Sequence, residues 1–125
     1  MSTHTKYLQA AYAVALSSPG AGGKNGYRLG AVLVYKKKIE AARFNCLKSH
    51  PKLCKYFKYP YLHAEAHAIL SVGLFHCEDR NLYVVRVKRD GSLAMAKPCS
   101  SCQQLISDVG IKKVYFSTGI GYDSL

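Results

Sequence analysis

The sequence predicts an α/β fold: one domain over residues 1–125, a three-layer α-β-α sandwich around a mixed sheet of four to five strands. Three observations predict it. Hydrophobic residues make up 49% of the 125 positions, enough for one modest core at this length. Apolar residues recur either at helical 3–4 spacing or in short β-branched runs. The order of these stretches is α-β-β-α-β-α-β, and helices that cross between strands cover both faces of a sheet.

The first helix runs from Thr3 to about Ser17, with Tyr7, Leu8, Ala11, Tyr12, Ala15 and Leu16 as its apolar stripe. Ser17-Ser18-Pro19-Gly20 ends it, and a Gly-rich loop reaches Gly26. Leu29–Tyr35 and Ile39–Asn45 are strands, paired as a hairpin across Lys36-Lys37-Lys38. Pro51 and Pro60 mark a long loop from Cys46 to Leu62. A second helix covers His63 to about Phe75, with Ile69, Leu70 and Leu74 on one side. Asn81–Arg89 is a strand, and Asp90-Gly91 a turn. Pro98 opens a third helix that Gly110 stops, since proline suits a helix start and glycine its end. Ile111–Ser117 is a strong last strand, and Thr118–Leu125 leaves room for a short strand at most.

Composition narrows the function classes. No apolar run approaches the ~20 residues of a membrane span, and no signal-peptide core follows Met1–Lys6, so a cytoplasmic protein without membrane partners is expected. The five cysteines are odd in number, which argues against a disulfide framework. The net charge is +11. Residues 1–62 hold 11 basic side chains and a single acid, Glu40, so nearly all the excess lies in that half. Such a field attracts phosphate, on a free nucleotide or on a strand.

Two motifs carry chemistry. Cys99 and Cys102, in Pro98-Cys99-Ser100-Ser101-Cys102, share one helix face. A helix N-terminus lowers thiol pKa, and Cys-x-x-Cys is half of a tetrahedral Zn²⁺ site, although redox pairs also use this spacing. His63, in His63-Ala64-Glu65, offers a third ligand. Three protein ligands leave one position open, the mark of a catalytic zinc. Within a helix, His63 and Glu65 would point about 200° apart. They meet at one ion only where the first turn begins.

His-x-Glu followed by Pro-Cys-x-x-Cys is a signature of zinc deaminases acting on nucleobases. The chain resembles the cytidine and deoxycytidylate deaminase superfamily, to which tRNA adenosine deaminases and other nucleic-acid deaminases are also similar. Gly30-Ala31-Val32, Asn45, Asn81-Leu82-Tyr83-Val84-Val85 and Ile111-Lys112-Lys113-Val114-Tyr115 extend the match over about residues 29–117. The resemblance implies a cytidine deaminase-like fold, with Zn²⁺ held by His63, Cys99 and Cys102. It implies Glu65 as the catalytic proton carrier, with Asn45 on the sugar or base and the Ala64 backbone on the base edge. Many relatives carry a fifth strand and a further helix where this chain has only Thr118–Leu125. Oligomers are common among them, so a homo-oligomer is an expectation here.

The expected function is zinc-dependent hydrolytic deamination of cytosine to uracil in a pyrimidine nucleotide of the deoxycytidylate kind. The alternative is a deaminase of cytosine or adenine within single-stranded DNA or RNA; a second is a non-catalytic zinc module that binds nucleic acid. The loop before His63 bears on the choice, because Lys48, Lys52, Lys55 and Lys58 interleave with Tyr56, Phe57, Tyr59 and Tyr61. It fits a stacking surface for a single strand, a clamp on a mononucleotide phosphate through Lys52, Lys55 and Lys58, or a plain solvated loop. His67 reads as a packed or solvent-facing residue, because His-Ala-Glu-Ala-His is not His-Glu-x-x-His. His50 serves equally as a phosphate contact or a loop residue. Cys46, Cys54 and Cys77 are either buried free thiols or the source of a fourth ligand that would close the site.

Overall fold

The structure is a computed structural model and describes residues 3–18, 28–45, 63–74 and 76–125. The elements in chain order are α1 (Thr3–Ser17), β1 (Arg28–Tyr35), β2 (Lys38–Phe44), α2 (Ala64–Val72), β3 (Asn81–Val87), β4 (Leu93–Ala94), α3 (Ser100–Val109), β5 (Lys113–Ser117) and β6 (Tyr122–Ser124). The six strands form one sheet in the order β2-β1-β3-β5-β6, with β4 also paired to β3. The four to five strands expected become six among the described residues: β6 is the short strand for which Thr118–Leu125 left room, and β4, of two residues, is too short to leave a pattern. Among the described residues no helix is long and apolar enough to cross a membrane.

Strands β1 and β3 lie at the centre and are covered on both faces, which explains their nearly continuous apolar runs. Alternation sorts their side chains between two cores. Leu33, Leu82, Val84 and Phe116 face Ala66, Ile69 and Leu105, from the two later helices. Val32, Val34, Val85 and Val87 face Tyr7, Leu8, Ala11 and Ala15 of α1. The three layers are thus α1, the sheet, and α2 with α3. Leu16, part of the apolar stripe read for α1, is exposed; the small residues Ala11 and Ala15 are buried against the sheet.

Those alanines let α1 settle directly onto β1, and Gly30 completes the fit. A Cβ there would stand 2.5 Å from the Ala15 amide nitrogen and overlap the Ala11 carbonyl oxygen.

Four of the pairings among the described residues are antiparallel, but β3 and β5 run parallel, joined by the crossover through α3. Parallel pairing brings the carboxyl ends of β3 and β5 to the same side as the N-terminus of α3. That is where α/β proteins place their ligands. At this end β3 changes partner: residues 81–84 pair with β5, and Arg86 and Val87 pair with β4. The hydroxyl of Ser117 spans the change. It accepts from the Arg86 N–H at 3.1 Å and donates to the Ala94 carbonyl at 2.7 Å.

Candidate metal centre

Two helix N-termini meet at the site. His63 is the N-cap of α2 and Cys99 the N-cap of α3, each in an extended backbone conformation, while Cys102 lies in the first turn of α3. Their ligand atoms all lie within 4.8 Å of one another. The Nδ1 of His63 is 3.3 Å from the Sγ of Cys102 and 3.7 Å from that of Cys99. Ordinary Zn–N and Zn–S bond lengths at a tetrahedral angle require about 3.6 Å between nitrogen and sulfur. The donors therefore stand at the separations zinc would impose, and the His would ligate through Nδ1.

The extended backbone at His63 resolves the conflict in the His-x-Glu spacing. Because His63 stands outside the helix, its direction is not fixed by the helical rotation that carries Glu65 inward. Glu65 is buried. Among the described residues its Oε1 is a buried oxygen without a hydrogen-bond partner. A carboxylate is strongly disfavoured in such a place unless something polar is met there. A cation beside Cys102 and its solvent would meet it.

The thiols divide their proton unequally. A hydrogen bond from Cys102, reinforced by His63, pulls the Cys99 pKa down to about 3. Cys102 moves upward, because it donates to Cys99 and is deeply buried. The bond to Cys99 raises the pKa of His63 against the effect of its own burial. Burial raises that of Glu65. Two helix N-termini favour negative charge on Cys99.

Other candidates fall elsewhere. Cys77 is buried and donates to the Gly73 carbonyl at 3.4 Å, so it is not a fourth ligand. The Nδ1 of His67 hydrogen-bonds the Phe44 carbonyl at 2.9 Å, packing α2 against the end of β2. Ala64 is the fully buried first residue of α2. Asn45 is buried just past β2, where its amide oxygen accepts from the Leu29 N–H and the Ser18 hydroxyl, each at 3.0 Å. It thereby ties the end of α1 to the starts and ends of two strands. Lys52, Lys55, Lys58, His50, Cys46 and Cys54 lie outside the described residues.

Sequence reasoning passed over Gln103. Its side-chain amide donates to the Pro98 carbonyl at 2.8 Å. The two residues stand at N4 and N′ of α3, positions that in many helices hold a hydrophobic contact. That spacing was a usable signal.

Comparison with known proteins agrees with this geometry. The profile of the cytidine and deoxycytidylate deaminase zinc-binding region matches residues 1–118. The dCMP deaminase of cyanophage S-TIM5 in apo form superposes with a TM-score of 0.66 at 22% identity, over 92% of this chain and 82% of that one. The same phage enzyme in complex with dCMP and dUMP gives 0.63 at 21% identity, over 93% and 82%. Cytidine deaminase from Mycobacterium leprae gives 0.58 at 20% identity, over 94% and 88%. The curated proteins contain no match.

Proposed function

The chain belongs to the cytidine and deoxycytidylate deaminase family, and from that premise we propose that it deaminates cytosine in a pyrimidine nucleotide of the deoxycytidylate kind. It is a zinc-dependent hydrolytic deaminase; the assignment of roles to its residues is our reading. One observation carries that reading: three donors from two distant motifs converge within 4.8 Å, and the carboxylate two residues from His63 is buried with an oxygen that has no hydrogen-bond partner among the described residues.

His63, Cys99 and Cys102 would hold the ion. Zinc, when bound, supplies a Lewis acid that makes water nucleophilic near neutral pH. Glu65 carries the protons. Its raised pKa suits a group that must accept a proton as a base and return it as an acid within one turnover. The water proton goes to the Glu65 carboxylate and from there to the ring nitrogen. A further proton goes to the departing amine. Water is consumed, ammonia leaves, and a carbonyl replaces the amine.

Asn45 and Ala64 would position the substrate. Asn45 would hydrogen-bond the sugar or base. The Ala64 backbone would meet the base edge. The +11 charge, through Lys52, Lys55 and Lys58, would attract the phosphate. The phage dCMP deaminase bound to dCMP and dUMP supports this substrate class. The cytoplasm, being reducing, keeps both thiols available for metal.

The test is mass spectrometry of one reaction containing cytidine, deoxycytidine, their monophosphates and single-stranded oligonucleotides of every base. Deamination adds about 1 Da to the species used. Conversion of deoxycytidylate supports the proposal. Conversion confined to an oligonucleotide replaces it with the single-strand reading, which the same positive charge would serve.

A further inference from the structure

The three donors are not equally supported. Cys102 sits within α3 and is fully buried, so helix and core fix it. His63 is followed at once by α2, and its carbonyl accepts from the His67 N–H at 2.9 Å. Cys99 is exposed and ends an irregular stretch, residues 95–99, that leads from β4 to α3. Its geometry depends on what grips that stretch.

Two side chains grip it. At the strand end, the Ser117 hydroxyl donates to the Ala94 carbonyl, and the Ala96 N–H donates to the Ser117 carbonyl at 2.8 Å. At the helix end, Gln103 makes two contacts. Its main-chain N–H donates to the Cys99 carbonyl at 2.8 Å, and its side-chain amide donates to the Pro98 carbonyl at 2.8 Å. The Pro98 carbonyl belongs to the peptide plane that joins Pro98 to Cys99. Fixing that plane fixes the direction in which Cys99 leaves the backbone.

We infer that Gln103 is a positioning residue for the zinc site: its side-chain amide sets the backbone of Cys99, with Ser117 anchoring the other end of the same stretch. The inference rests on the reading of Cys99 as a ligand. Gln104 is a natural control, because its amide donates to Asp108 of its own helix, on the exposed face.

The experiment uses the full chain, purified zinc-loaded, as wild type, Gln103→Met, Gln103→Lys, Gln104→Met and Cys99→Ser. Met keeps the length and helix preference of Gln without a donor; Lys supplies a donor at similar reach. Three quantities are read: zinc affinity against a chromophoric chelator, the absorption of the cobalt(II)-exchanged protein, and the far-ultraviolet circular dichroism. Gln103→Met is expected to lower zinc affinity by about 10- to 100-fold. It should also alter the thiolate-to-cobalt bands while leaving the dichroism at saturating zinc unchanged. Gln103→Lys should recover most of the loss, and Gln104→Met should match wild type. Wild-type affinity and cobalt bands in Gln103→Met overturn the inference. So does loss of the fold in that variant, which would assign Gln103 to the scaffold. Wild-type zinc affinity in Cys99→Ser contradicts the ligand reading itself. A normal Gln103→Met beside a defective Cys99→Ser contradicts only the positioning role.

Discussion

The Nδ1 of His63 and the Sγ of Cys102 stand 3.3 Å apart, although 39 positions separate them in sequence. The convergence follows from topology: α2 and α3 pack on the same face of the sheet, and each presents its N-terminus to the site. Zinc binding must displace the thiol proton of Cys102, which burial and its neighbours retain, and competes with protonation of His63, whose pKa is raised. Each displaced proton makes affinity rise about tenfold per pH unit below its pKa. A titration of zinc affinity against pH should therefore show a steep rise with pH, and His63→Ala should make it shallower as well as weaker.

Glu65 gives a prediction with two parts. Glu65→Gln should keep zinc but lose about 10²- to 10⁴-fold in turnover, the range for removing a general acid-base group. Its stability effect in the zinc-free protein has the opposite sign. Burial raises the pKa of Glu65 above 4.5, so the buried carboxylate destabilises the fold. That penalty is absent below pH 4.5 and grows as pH rises through the elevated folded-state value. Zinc-free Glu65→Gln should be the more stable protein at pH 7 by thermal unfolding, and the difference should vanish toward pH 4.

Gly30 is where α1 rests on β1. Gly30→Ala forces its methyl against the backbone of Ala11 and Ala15, which cannot rotate away. The cost should be about 1–3 kcal/mol, read as a lower urea midpoint with an unchanged slope.

The hairpin between β1 and β2 turns on Lys36 and Lys37, with φ of 50° and 65°. Two positive values in a two-residue loop demand the conformation that Asn-Gly adopts most readily. Replacing Lys36-Lys37 with Asn-Gly should stabilise the protein by about 1 kcal/mol and leave turnover unchanged, measured by urea unfolding and by product formation.

Much of this was legible in the sequence. The third helix was bracketed by Pro98 and Gly110, and the structure gives Gly110 the left-handed φ of 81° that such a stop uses. The apolar runs located β1, β3 and β5 because both faces of these strands are buried. What was not legible depended on three-dimensional neighbours. β4 is held by the Ser117 hydroxyl, which accepts from the Arg86 N–H and donates to the Ala94 carbonyl, and two residues carry no period. The His63–Glu65 spacing looked contradictory until the backbone at His63 proved extended. The grip of Gln103 on Pro98 is a polar contact at positions where pattern reading looks for apolar ones.

The central claim is that His63, Cys99 and Cys102 hold zinc while Glu65 moves the protons. The most direct measurement is zinc content and deoxycytidylate deamination in the same preparations of wild type and Glu65→Gln. The account predicts about one zinc per chain in both proteins, with uracil product formed at speed only by the wild type. Equal turnover by Glu65→Gln, or an active wild type without zinc, would contradict it.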